Sequence, residues 1–223
     1  SDIAIGVMIL AACPGGPTSN LITYLAKGDS GLSVSLTSVN SLITIFTIPF
    51  VVDFALTYFL NAQETITIDK VKTVVQIFVI VIIPVTLGMM LKRSKPNFAD
   101  RMNKPVRIAS ALVLFLVILG LVIKKKADLI PYLQQAGITT LLLNVATMFV
   151  GFLTARLAQL KSKQALTISI ESGIQNGTMA IAIASGILMN ENFAIAPAVY
   201  SLIMFVTGGI LIGLGNSKFL ANS

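Results

Sequence analysis

Cys13-Pro14-Gly15-Gly16-Pro17-Thr18-Ser19-Asn20 lies in the middle of an apolar stretch that begins near Ile3 and ends near Ala26. Two prolines remove backbone donors and two glycines loosen the helix, so regular hydrogen bonding must fail there. Freed amides and carbonyls cannot face lipid; they must be buried in protein or line a hydrated cavity. The stretch therefore predicts a helix broken inside a membrane.

Composition supports that setting. Apolar residues make up 55% of the 223, charged residues 11%, and the mean hydropathy is +0.89. A soluble domain carries about a quarter charged residues, so this chain cannot clothe itself for water. The net charge of +7 fits basic residues gathered in cytoplasmic loops better than nucleic-acid binding. Cys13 is the sole cysteine, so no disulfide can form within the chain. Histidine is absent, which removes the commonest general base and the usual catalytic zinc ligand sets. With no Gly-x-Ser-x-Gly motif and no acidic dyad in the apolar segments, an intramembrane hydrolase is disfavoured and the chain reads as no enzyme.

Seven apolar segments follow from the hydropathy: Ile3–Ala26, Gly31–Leu60, Val71–Leu91, Val106–Ile123, Leu129–Ala158, Gln164–Met189 and Phe193–Leu214. The fold class expected is all-α and polytopic. Lys27, Lys92, Arg93, Lys95, Arg101, Lys104, Arg107, Arg156, Lys161, Lys163 and Lys218 fall on one side. Lys70, Lys72 and Lys124 to Lys126 fall on the other, so the eleven-residue side is expected to be cytoplasmic.

The sixth segment is also interrupted. Ser169-Ile-Glu-Ser-Gly-Ile-Gln-Asn-Gly177 carries an acid, two amides and two glycines where apolar residues are expected. Set against Ser19-Asn20, the pair Gln175-Asn176 lies 156 residues later, and a further long segment follows each break. Paired interruptions at corresponding places in two halves point to a transporter's binding site. A shift of five spans inverts the second unit. If that unit begins near Val71, roughly 85 residues, or about three spans, precede Ser1 in an intact ten-span protein. The opening at Ser1, without a signal-peptide pattern, agrees with an internal start.

Glu171 is the most informative single residue. An acid at the membrane centre costs roughly 3 kcal/mol, which a bound cation can offset. A protonated carboxyl that merely helps helices to pack is the alternative. Ser30, Ser33, Thr37, Asn40, Ser41 and Thr44 recur at three- and four-residue spacing on one face of the second segment. Their oxygens are the hard ligands a small cation prefers, although Ser and Thr also mediate helix contacts in membranes. Asn144 and Thr147 read as such contacts, Asp53 as a solvated or capping residue, and Pro84 and Pro197 as helix kinks.

At Cys13 to Asn20, Leu32-Ser-Val-Ser-Leu-Thr-Ser38 and Ile170-Glu-Ser-Gly-Ile-Gln-Asn176 the chain resembles the bile acid:sodium symporter family. The resemblance runs over essentially the whole chain, as the fourth to tenth helices of a ten-helix fold. It implies a core domain (residues 1–60 and 128–216) and a panel domain (71–125). It implies one sodium site from Ser19, Asn20, Ser33, Thr37 and Glu171. A second is implied from Glu171 and Gln175 with the backbone carbonyls of Ser172 and Ile174, completed by a helix this chain lacks. Asn20 and Asn176 are implied as substrate contacts.

The function expected is sodium-coupled symport of an organic anion, bile-acid-like or a small carboxylate, in a bacterial inner membrane. Sodium is the coupling ion, and no cofactor or nucleic acid is expected. A proton-coupled or metalloid-oxyanion transporter on a related scaffold is the alternative. A seven-helix receptor or retinal-type pigment fits less well, because the last segment has no lysine for a Schiff base.

Overall fold

Helix ends follow the punctuation of the sequence. The computed structural model describes residues 2–60, 70–124 and 129–217, which are almost wholly helical and contain no strand. The first apolar segment becomes α1 (Asp2–Ala12) and α2 (Pro17–Leu25). Pro17 opens α2, where its missing N–H is no loss. Then comes α3 (Ser30–Phe59), capped by Asp29, whose carboxylate accepts from the Leu32 amide at 3.0 Å. Pro49 lies inside α3, and its two parts, Ser30–Thr44 and Phe46–Phe59, are bent by 56°. A proline ring displaces the carbonyl four residues back, which accounts for the bend.

The second half holds α4 (Lys70–Ser94), α5 (Pro96–Lys124), α6 (Leu129–Leu157) and α7 (Ser162–Gly173). After three non-helical residues comes the short α8 (Gly177–Ile181), continued by a π-helical turn, Ala182–Ile187. A 3-10 turn, Glu191–Ala194, leads into α9 (Ile195–Asn216).

Each of the seven apolar segments thus becomes a helix or a broken helix. One boundary is corrected. The basic stretch after Leu91 is almost all helix, because α5 starts at Pro96, ten residues ahead of Val106. Only Lys95 separates it from α4. Proline at the first position starts the helix, and polar residues continue it past the apolar run. Residues 61–69, and Lys125, Lys126 and Lys218 of the charge count, lie outside the described residues.

Ile5, Ile9 and Leu10 of α1, Ile170 of α7, Phe193 and Tyr200 are completely buried. This core forms where α1 packs on α3 and α9 and where α6 runs along α7 and α9. The outer faces are apolar instead of charged. Phe50 and Tyr58 of α3, Ile138, Leu142 and Phe149 of α6, and Val206 and Ile210 of α9 are all exposed. So much exposed large apolar surface suits lipid and not water. Among the described residues, Ile130–Leu157 and Glu191–Asn216 are each long and apolar enough to cross a membrane, and the bent α3 makes a third.

Candidate functional site at the crossing of two broken helices

The two interruptions meet. The Asn176 amide donates to the Pro14 carbonyl at 2.9 Å, and Gly15 and Gln175 form an isolated antiparallel bridge. Each break thereby satisfies part of the other's freed backbone, as burial in an apolar medium demands. Within the first break, Gly16 O accepts from both the amide of Ser19 (3.0 Å) and its hydroxyl (2.7 Å). Within the second, Asn176 caps α8, its Oδ1 accepting from the Met179 amide at 3.1 Å.

The last freed carbonyl of α7, Gly173 O, is held from two sides. Asn144 Nδ2 donates to it at 2.7 Å and Tyr200 Oη at 2.8 Å. Asn144 is therefore more specific than general helix glue, because it closes the break. Tyr200 carried no sequence signal, since a tyrosine in an apolar helix is ordinary. Tyr200→Phe should lower stability in detergent by about 1 kcal/mol. The double variant Asn144→Leu/Tyr200→Phe should cost several kcal/mol, because the carbonyl is then orphaned. Thermal unfolding of the variants measures both.

Glu171 is 4% exposed and points into the crossing. Ser33 Oγ donates to its Oε1, and Thr37 Oγ1 reaches its Oε2 at 2.9 Å. The same hydroxyls approach Asn20 Oδ1, at 2.7 Å from Ser33 and 3.3 Å from Thr37. Ser19 completes the ring: a Cβ placed on Gly15 would lie 2.8 Å from Glu171 Oε2 and 3.2 Å from Ser19 Oγ. Ser19, Asn20, Ser33, Thr37 and Glu171 are thus brought together from α2, α3 and α7.

The inventory of hydrogens is short. Ser33 and Thr37 each carry one hydroxyl hydrogen, yet face four acceptors, the two carboxylate oxygens, Asn20 Oδ1 and, for Thr37, Ser33 O at 2.9 Å. Two hydrogens cannot serve four acceptors, so the cluster is left short of positive charge, which a cation would supply. Glu171 is its sole acid, and no cluster of three His, Cys, Asp or Glu exists among the described residues. One carboxylate among neutral oxygens suits a hard monovalent ion.

Gln175 lies on the far side of Glu171. Its Nε2 donates to Ser172 O at 3.1 Å, while its Oε1 is buried without a hydrogen-bond partner. Ile174 O faces the same bend, 3.5 Å from the position of a Gly15 Cβ. Of the polar stripe on α3, Ser33 and Thr37 face Glu171 and Ser41 donates to Thr37 O at 2.7 Å. Asn40 is exposed. Asp53 is half-buried in the second half of α3. The sequence reading also missed a tie at the α3 entrance, where the Asp29 amide donates to Thr167 Oγ1 at 2.8 Å.

A cavity of about 420 Å³ opens beside the crossing, lined by Gly15, Gly16, Asn20, Thr37, Lys92 and Asn176 among others. Gly15 separates it from Glu171. A Cβ on Gly16 would lie 3.5 Å from Asn176 Cγ, an ordinary contact.

Relatives share this chain over nearly its whole length. The probable sodium/metabolite cotransporter BASS1 of Arabidopsis thaliana is 27% identical over 95% of this chain and 51% of its own length. The sodium-dependent transporter YocS of Bacillus subtilis is 25% identical over 98% of this chain and 66% of its own. The human ileal sodium/bile acid cotransporter is 27% identical over 94% and 60%. The chain therefore spans about half to two thirds of the length of these curated relatives. Their names describe sodium-coupled membrane transporters, not enzymes. Residues 1–132 match the family model described as the Sodium Bile acid symporter family, and the chain belongs to that family.

Proposed function

We propose that the intact protein carries an organic anion across a membrane together with sodium, by alternating access. The observation that carries this reading is the buried carboxylate of Glu171 among more acceptors than hydrogens, where two broken helices cross. One sodium ion is held by Ser19, Asn20, Ser33, Thr37 and Glu171. A second is held by Glu171 and Gln175 with the carbonyls of Ser172 and Ile174, and the unpartnered Gln175 Oε1 supports it. Asn20 and Asn176 contact the substrate from the cavity.

Coupling follows from the wall between cluster and cavity, which at Gly15 is one residue thick. An ionised Glu171 repels an anion placed in the cavity. At ~8 Å and an effective dielectric of ~20, that repulsion is about 2 kcal/mol. A bound cation cancels it, so each ion raises the other's affinity. Residues 1–60 and 128–216 then move as a core against a panel formed by 71–125. The bridge between Gly15 and Gln175 supports the inverted arrangement of ten helices, because it joins the two breaks in antiparallel sense, as oppositely directed units require. A bile-acid-like or small carboxylate substrate rests on the relatives' names, and a bacterial inner membrane on the Bacillus subtilis relative alone.

The full-length protein in liposomes tests this. At equal pH on both sides, an inward sodium gradient should drive uptake from a panel of labelled carboxylates headed by cholate, and a potassium gradient should not. A proton could also meet the shortage of hydrogens at Glu171. Uptake driven by a proton gradient without sodium would therefore replace the sodium reading with proton coupling.

A further inference from the structure

We infer that Lys92 is the charged half of the anion site, on the opposite wall of the cavity from the crossing helices. This rests on the function proposed above and adds a residue that neither the broken helices nor the polar stripe identified. Among the described residues lining the 420 Å³ cavity, Lys92 is the only charged one. It comes from the last turn of α4, whereas the crossing residues come from α2 and the break before α8. A helix C-terminus favours a cation, which accounts for a basic pair at Lys92 and Arg93. It does not account for Lys92 alone facing the cavity. Lys92 has no ion pair with any described residue.

The two asparagines that share the cavity with it offer donors. Asn176 Oδ1 is engaged by the Met179 amide, and Asn20 Oδ1 by the hydroxyls of Ser33 and Thr37. Neither amide nitrogen has a hydrogen-bond partner among the described residues, and both side chains line the cavity. Two amide nitrogens and an ammonium are three donor groups, the complement of a carboxylate or sulfonate, and the hydroxyls of Thr37 and Ser41 on the same lining have their hydrogens turned to Glu171 and to Thr37 O. The α2 N-terminus behind Gly16 adds its positive dipole end. Val34 and Val106 give the same cavity an apolar side. The ligand class is therefore a monoanion with a hydrocarbon body, its head between Lys92 and the asparagines. Asn20 links the two sites, its oxygen facing the cation cluster and its nitrogen facing the anion.

The test uses the full-length protein in detergent with cholate, benzoate and methanesulfonate as probes, measured by calorimetric titration in saturating sodium. Sodium binding without anion is measured in parallel by thermal shift. Lys92→Gln should weaken anion binding at least tenfold and leave the sodium midpoint within twofold. Lys92→Arg should restore anion binding to within threefold of the unaltered protein. Lys92 is exposed, so neither change should disturb folding. Unchanged anion affinity in Lys92→Gln overturns the inference while the proposed function stands, provided binding still requires sodium. A sodium midpoint that shifts together with anion affinity, in both variants, overturns it as well. If the unaltered protein binds none of the probes in sodium, the proposed function fails and takes this inference with it.

Discussion

Glu171→Gln should abolish sodium-dependent stabilisation and sodium-driven uptake while leaving the helices packed. The glutamine keeps the shape, accepting from one of the Ser33 and Thr37 hydroxyls and donating to the oxygen of the other, but it removes the only formal negative charge from the cluster. A unit charge pair at about 4 Å and an effective dielectric of ~20 is worth about 4 kcal/mol. Some of that is offset because the neutral amide is cheaper to bury. The expected loss in sodium affinity is a hundredfold or more, read as the midpoint of a thermal-shift titration. The melting temperature without sodium should stay level or rise, since an ionised carboxylate in an apolar interior is destabilising when unpaired. A sodium midpoint within a few fold of the unaltered protein would remove the cation site from this crossing.

Gly15→Ala is expected to be the second most damaging change, for a steric reason. The new methyl would sit 2.8 Å from Glu171 Oε2 and 3.2 Å from Ser19 Oγ, so the carboxylate has to move away from its ligand position. Overpacking of this kind costs roughly 1–3 kcal/mol. Here the strain falls on a ligand, and sodium affinity should drop at least thirtyfold. Gly16→Ala is the control one residue along. Its methyl meets Asn176 at 3.5 Å, so sodium binding should change by less than threefold. Equal effects from the two alanines would show that the Pro-Gly-Gly bend matters only as backbone, with no particular side of it facing the ion.

The two broken helices and the weight of Glu171 were legible from residue type alone, whereas the grouping of Asn20, Ser33 and Thr37 with Glu171 came from the family resemblance. An acid in an apolar segment is rare enough to need a partner, and two prolines and two glycines in four consecutive residues cannot stay helical. Asn40 is exposed although it shares the stripe with the buried Ser33, because three- and four-residue spacing on a helix fixes a face only within about a third of a turn. Tyr200 and Lys92 were not legible as site residues. One is an aromatic in an apolar helix and the other a basic residue at a helix end, and both are common without any function. Their roles depend on which helix lies opposite, which the order of segments does not specify. The early start of α5 was missed because hydropathy marks where lipid begins and not where helical hydrogen bonding begins.

The bond from the Asn176 amide to the Pro14 carbonyl joins points 162 residues apart in the chain. At about 5–20 residues per second, a ribosome needs roughly 8 to 30 s to make the second after the first. During that interval the Pro-Gly-Gly bend has no mate, and its open backbone must be sheltered by water or by the insertion machinery. Biogenesis of this fold therefore carries a waiting step, and substitutions that delay α7 should increase turnover of the nascent chain before they alter the finished protein.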